Sequence, residues 1–161
     1  MPEIVILTVQ KGRQSGHAFS FGKKETVLLG RHGDCSIRLT DSTVSGHHCI
    51  VEIVPPSVTV CDCGSLNGTY INGKKIGQRS AGDPNFAIEN VRYPMNPGDR
   101  LGLGKSCELT LDVKMIQICS ICKNEIEEIL HNTLSGALIC NNCHSNPDKV
   151  LEFLMQIAKN G

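Results

Sequence analysis

The sequence predicts an all-β sandwich, followed by a small cysteine module and one C-terminal helix. Three observations lead there. Residues 1–116 break into short runs rich in β-branched residues, about ten residues apart, with Gly, Pro, Asn or Asp between them. No helical period of apolar residues separates those runs, which points to stacked sheets rather than to strands alternating with helices. Four of the nine cysteines fall in two C-x-x-C pairs within residues 117–146, where large apolar residues are few.

In chain order, the predicted strands are EIVILTV, HAFSF, ETVLLG, SIRLT, CIVEIV, SVTVCDC, GTYI and CELTLDVKMI. YINGKKI contains Asn72-Gly73, a hairpin signal because a type I′ turn needs positive φ at both central residues. NPGDRLGL marks a further turn before a strand. Between them, GQRSAGDPNFAIENVRYPM reads as a long loop with at most one helical turn. Residues 117–146 form the cysteine module and 147–161 a helix. Asn146 is placed to cap that helix, with Pro147 at its first position and Asp148 in its first turn. Val150, Leu151, Leu154, Ile157 and Ala158 share one face of it.

The composition excludes several classes. Among 161 residues, 16 Lys and Arg balance 16 Asp and Glu, so no whole-molecule field draws the chain to nucleic acid or membrane. The start MPEIVILTVQ is not a charged-then-apolar leader, and no apolar run nears the roughly 20 residues of a membrane span. The expected location is therefore cytoplasmic. In a reducing compartment Cys35, Cys49, Cys61, Cys63 and Cys107 read as small core residues.

The stretch DSTVSGHHCIVEI sets a serine, two histidines and a cysteine together before a strand. Hydrolase chemistry would want an orienting Asp and a nucleophile elbow, which TVSGH lacks. A metal on His47, His48 and Cys49 would need consecutive strand residues to converge, whereas neighbours on a strand point to opposite faces. GLGKS at 102–106 imitates a phosphate-binding loop, but Asp99 stands where its first glycine belongs and a strand follows. The chain is expected not to be an enzyme.

LLGR ending at Arg31, VSGHH with Ser45 and His48, and DCGSLNGTYING with Asn67 follow in order. Together with PGDRLGLG they resemble a forkhead-associated (FHA) domain over roughly residues 3–116. That family is a β-sandwich of about eleven strands, and it binds phosphothreonine peptides without catalysis. The resemblance implies that Arg31 and Ser45 hold the phosphate, helped by the Gly46-His47 turn. It implies that Asn67, with Leu66 beside it, holds the peptide backbone, and that Gly30, His48 and Gly68 support the loops.

Physically, a phosphothreonine brings a charge of about −1.5 to −2 and three acceptor oxygens. Arg31 matches these with a charge-assisted fork, and Asn67 has both a donor and an acceptor for main chain. Two positions depart from the family pattern. Gly46 stands where Arg, Asn or Lys is common, and Leu66 where Thr or Ser is common. His47 is the candidate replacement, stronger once protonated below about pH 6.5. The rival reading is a degenerate FHA scaffold that binds protein without phosphate.

Cys119, Cys122, Cys140 and Cys143 are spaced C-x2-C-x17-C-x2-C, the spacing of a structural zinc site, so one structural Zn²⁺ is the expected cofactor. The stretch resembles a small zinc ribbon, although Lys123 and His144 stand where glycine often follows the second cysteine of each pair. The alternative is a zinc-thiol redox sensor. Lys123, Lys149 and Lys159 face Glu125, Glu127, Glu128, Asp148 and Glu152, a poor surface for nucleic acid. The combined order resembles the N-terminal region of FHA-bearing bacterial Ser/Thr kinases. That implies a phosphothreonine protein or peptide as partner and a kinase domain in cis or in trans. No kinase motif lies in the chain itself.

Overall fold

The structure, a computed structural model, describes residues 3–79, 91–126, 133–134 and 137–161. Two compact units emerge, Glu3–Lys114 and Met115–Gly161. No helix among the described residues is long and apolar enough to cross a membrane.

The first unit carries eleven strands: β1 (Glu3–Lys11), β2 (Ala18–Phe21), β3 (Glu25–Gly30), β4 (Ile37–Arg38), β5 (Cys49–Val54), β6 (Ser57–Asp62), β7 (Thr69–Ile71), β8 (Lys74–Gly77), β9 (Tyr93–Met95), β10 (Arg100–Leu103) and β11 (Cys107–Met115). One sheet runs β2-β1-β11-β10-β7-β8 and the other β4-β3-β5-β6-β9. β3 and β4 pair in parallel, while β3–β5, β5–β6, β6–β9 and β10–β11 are antiparallel.

Alternation along the strands sends one side chain in two to the core. Val5, Leu7 and Val9 of β1, Val51 and Ile53 of β5, and Leu101 and Leu103 of β10 are all essentially inaccessible. Asn72 (φ 50°) and Gly73 (φ 81°) make the β7–β8 hairpin turn with both central residues at positive φ, as the Asn-Gly pair predicts.

Two expectations are corrected. The long segment before NPGD was read as loop, but Tyr93–Met95 pairs with β6 and buries Met95. Pro94 disguised the strand, and Pro is tolerated there because β9 is the edge of its sheet. The predicted helical turn in this loop falls largely on residues 80–90, outside the described residues. Of the five dispersed cysteines only Cys49 and Cys107 are buried, while Cys35, Cys61 and Cys63 are half-exposed. Cys61 lies on the side of β6 opposite Val58, Val60 and Asp62, which take the inward positions.

In the second unit β12 (Gln117–Ile118) pairs with β13 (Glu125–Ile126), and β14 (Thr133–Leu134) with β15 (Ala137–Leu138). A short helix, α1 (Asn141–His144), precedes α2 (Pro147–Asn160). The Asn146 side chain accepts a hydrogen bond from the Lys149 N–H at 3.2 Å, so the predicted cap is in place. None of the α2 residues is buried, and Leu151 is 60 % exposed. Phe153, not among the residues read as the apolar face, packs against Cys119, Ile139 and Cys143.

Candidate functional site

Strand ends bring three links of the sandwich together. Arg31 N–H donates to Ser45 O (3.0 Å) and His32 N–H to Gly46 O (3.1 Å), stitching the β3–β4 link to the β4–β5 link. Gly30 has to be glycine for this approach, because a Cβ there would lie on top of the Gly46 carbonyl oxygen. The β6–β7 link joins them where Leu66 N–H donates to Ser45 Oγ (2.9 Å). Asn67 Nδ2 donates to Thr43 O at 2.9 Å. The β10–β11 turn closes the group, with Gly104 N–H on Gly68 O and Lys105 N–H on Thr43 Oγ1.

His48 is the strut beneath these links, and it is fully buried. Its Nδ1 accepts from Ser45 N–H at 3.0 Å, so the ring proton sits on Nε2, which donates to Gly68 O at 2.9 Å. Burial pushes its pKa below the ordinary histidine value, which keeps the ring neutral and this arrangement intact.

A second strut was not legible in the sequence. The buried Asp62 carboxylate accepts from Ser65 Oγ (2.6 Å), Thr69 Oγ1 (2.6 Å), and the N–H groups of Gly64 and Ser65. Asp62, Ser65 and Thr69 thereby shape the loop that presents Leu66 and Asn67. An Asx-type turn in DCGS was the one available signal.

At the surface, Arg31 is exposed beside a shallow depression that it lines with His32, Gly33, Arg38 and Thr40. Arg38 Nε donates to Arg31 O at 3.1 Å, adding a cation the sequence reading did not single out. Ser45 Oγ already accepts from Leu66 N–H, so its own proton is the part left to donate. The Leu66 side chain is 64 % exposed.

Gly46 has a specific neighbour: a Cβ there would collide with the ring of His32. His32 thus fills the space that a side chain after the serine would occupy. His47 turns to Asp34, with Nε2 at 2.9 and 3.0 Å from the two carboxylate oxygens. That hydrogen bond draws the Asp34 carboxyl below its usual pKa. Sequence reasoning missed His32 and Asp34 because nothing local ties residues 32–34 to residues 46–47.

In the second unit the sulfurs of Cys119, Cys122, Cys140 and Cys143 all lie within 4.8 Å of one another. A tetrahedral zinc with bonds of about 2.3 Å has sulfur–sulfur edges of about 3.8 Å, and Cys122 Sγ to Cys140 Sγ measures 3.8 Å. The donor set and its size therefore fit the ion.

The first pair sits on the β12–β13 hairpin, where Lys123 N–H donates to Cys119 O at 3.0 Å. Lys123 takes a φ of 61°, the conformation that glycine would adopt most readily. The second pair opens α1, with His144 N–H on Cys140 O. Burial works against ionising Cys119, but the N–H groups of Cys140, Cys122 and Ile121 outweigh it and bring this thiol down to about 6. Cys143 is pushed up to about 12, by burial first and then by the three neighbouring sulfurs. Four thiols so crowded ionise together only with a cation among them.

Comparison with known proteins places a family match within the first unit. Residues 27–104 match the family model described as FHA domain. The chain is 42 % identical over 67 residues to the "Oxoglutarate dehydrogenase inhibitor" of Corynebacterium jeikeium, covering 42 % of this chain and 46 % of that one. It is 37 % identical over 75 residues to the "Glycogen accumulation regulator GarA" of Mycobacterium tuberculosis H37Rv, covering 47 % and 46 % respectively. The chain spans about half the length of these relatives, which are named as a regulator and an inhibitor rather than as enzymes. One solved structure belongs to a study of phosphothreonine-dependent FHA domain interactions. It aligns with TM-score 0.53 at 23 % identity, over 68 % of this chain and 95 % of that one. Residues 27–104 thus match an FHA domain, and the first unit has the corresponding β-sandwich fold.

Proposed function

We propose that this FHA domain reads phosphothreonine in a peptide, and that the chain is an adaptor or regulatory module in Ser/Thr kinase signalling. The observation that carries the reading is the meeting of Arg31, Ser45 and Asn67 from three separate links. Arg31 brings the charge for the phosphate, and Ser45 a hydroxyl already held as an acceptor by Leu66 N–H. Asn67, tied to Thr43 O by one N–H, offers its other amide groups to the peptide main chain. Gly46 and Leu66 supply no side-chain donor. The phosphate therefore rests on fewer contacts than the family pattern has, and binding is expected to be modest. A kinase domain, in cis or in trans, is the partner this reading names.

We assign the four cysteines to one structural Zn²⁺, with Cys119, Cys122, Cys140 and Cys143 as ligands. Bound there, the ion would contribute the folding free energy that a short chain with few buried apolar residues lacks. The redox-sensor alternative separates from this one by zinc release under mild peroxide. Release only together with unfolding supports the structural role.

An NMR titration with matched phosphothreonine, phosphoserine and unphosphorylated peptide pools tests the reader. Saturable shifts around Arg31, Ser45 and Asn67 with phosphothreonine alone, abolished in Arg31→Ala, are the expected result. Equal or absent responses to all three pools would leave a degenerate scaffold that binds protein without phosphate.

A further inference from the structure

We propose that His32, Asp34 and His47 form a divalent-metal site at the edge of the depression that Arg31 and His32 line, for a borderline transition cation such as Zn²⁺, Co²⁺ or Ni²⁺. Two imidazoles and one carboxylate present ligand atoms that all lie within 4.8 Å of one another. Imidazole with carboxylate is a donor set such ions favour over Mg²⁺ or Ca²⁺. Two ligand atoms bound at about 2.0–2.1 Å and at right angles stand about 2.9 Å apart. His47 Nε2 lies 2.9 Å from Asp34 Oδ2.

The site is held in advance of any ion. Its residues come from two links joined by the Arg31–Ser45 and His32–Gly46 backbone bonds. The His32 ring rests over Gly46, in space that any side chain at that position would take. The rings of His32 and His47 are 5.0 Å apart between centroids and tilted by 48°. A simple ion pair accounts for His47 and Asp34, but not for a second imidazole set against them. Consecutive His47, His48 and Cys49 cannot converge on an ion. His47 does so by meeting residues from another loop.

Three protein ligands leave coordination positions open, as in metal sites that take a further oxygen ligand. His32 also lines the depression beside Arg31. Oxygen anions, inorganic phosphate among them, are the ligand class that the open positions would accept. The metal site does not depend on the phosphothreonine reading, and its test contains no peptide.

The test is a Ni²⁺ titration of the protein, its four cysteines already loaded with zinc, followed by paramagnetic broadening in ¹⁵N NMR spectra. A single saturable equivalent, with broadening centred on residues 32, 34 and 47, is expected. Asp34→Asn and His32→Gln should each weaken Ni²⁺ by more than about a hundredfold, the most that an outer-shell change typically costs. Unchanged amide dispersion outside residues 30–48 certifies each variant as folded, and His47→Gln serves in place of either that is not. Broadening centred on His17 or His144, no saturable broadening, or undiminished affinity in His32→Gln would each overturn the site.

Discussion

The sandwich unit buries Val5, Leu7, Val27, Leu29, Val51, Ile53, Leu101, Leu103 and Leu109 against one another. In the cysteine unit only Cys119, Ile139 and Cys143 form a buried apolar cluster among the described residues, and two of these are proposed metal ligands. The two regions are therefore expected to hold themselves together by different physics. One relies on apolar area removed from water at about 25 cal/mol per Å². The other buries too little apolar area for that among its described residues, and its stability is expected to follow metal occupancy.

The largest effect should come from the metal. Stripping it with a chelator, or Cys140→Ser, should unfold residues 115–161 while the amide spectrum of Glu3–Lys114 stays in place. The binding free energy at stake is of the order of 10 kcal/mol. A chelated protein with an intact second unit would erase the contrast. The converse change, Leu101→Ala, opens a cavity in the sandwich and should cost about 2–5 kcal/mol in denaturant unfolding, with zinc content unchanged.

Arg31→Ala probes function within the sandwich. Losing charge-assisted bonds to phosphate should weaken phosphothreonine peptide by about tenfold to a hundredfold without moving the unfolding midpoint, because Arg31 is exposed. Calorimetry and thermal unfolding together check both halves.

The smallest expected effect is a pH dependence of the sandwich alone. His48 has its folded pKa below the unfolded value, so the unfolded chain binds the proton first as pH falls. Stability should therefore decline as pH drops below about 6.5. His48→Gln should flatten that part of the profile in urea midpoints measured across the range.

Legibility in the sequence followed the range of the interactions. The β-branched runs of β1, β5 and β6 marked the sandwich, Asn72-Gly73 its hairpin, Asn146-Pro147 the start of α2, and C-x-x-C spacing the thiol cluster. Each of these rests on residues a few positions apart, so propensity and backbone geometry speak for themselves. Arg31, Ser45 and Asn67 were legible as a motif, although no local rule joins them.

Tertiary structure alone decided the rest. Tyr93–Met95 became a strand because β6 had an open edge, which accepts a proline that a central strand would refuse. Asp62 became a strut because the β6–β7 link folds back over it, leaving a buried carboxylate that needs donors from Ser65 and Thr69. His32 reached Gly46, and His47 reached Asp34, only when two loops distant in sequence were stitched by backbone bonds. The sequence by itself determined most of the strands, the Asn72-Gly73 turn and which cysteines pair by spacing. The contacts that give the proposed phosphate site its shape and charge depend on through-space distances, which exist only once the sheets have packed.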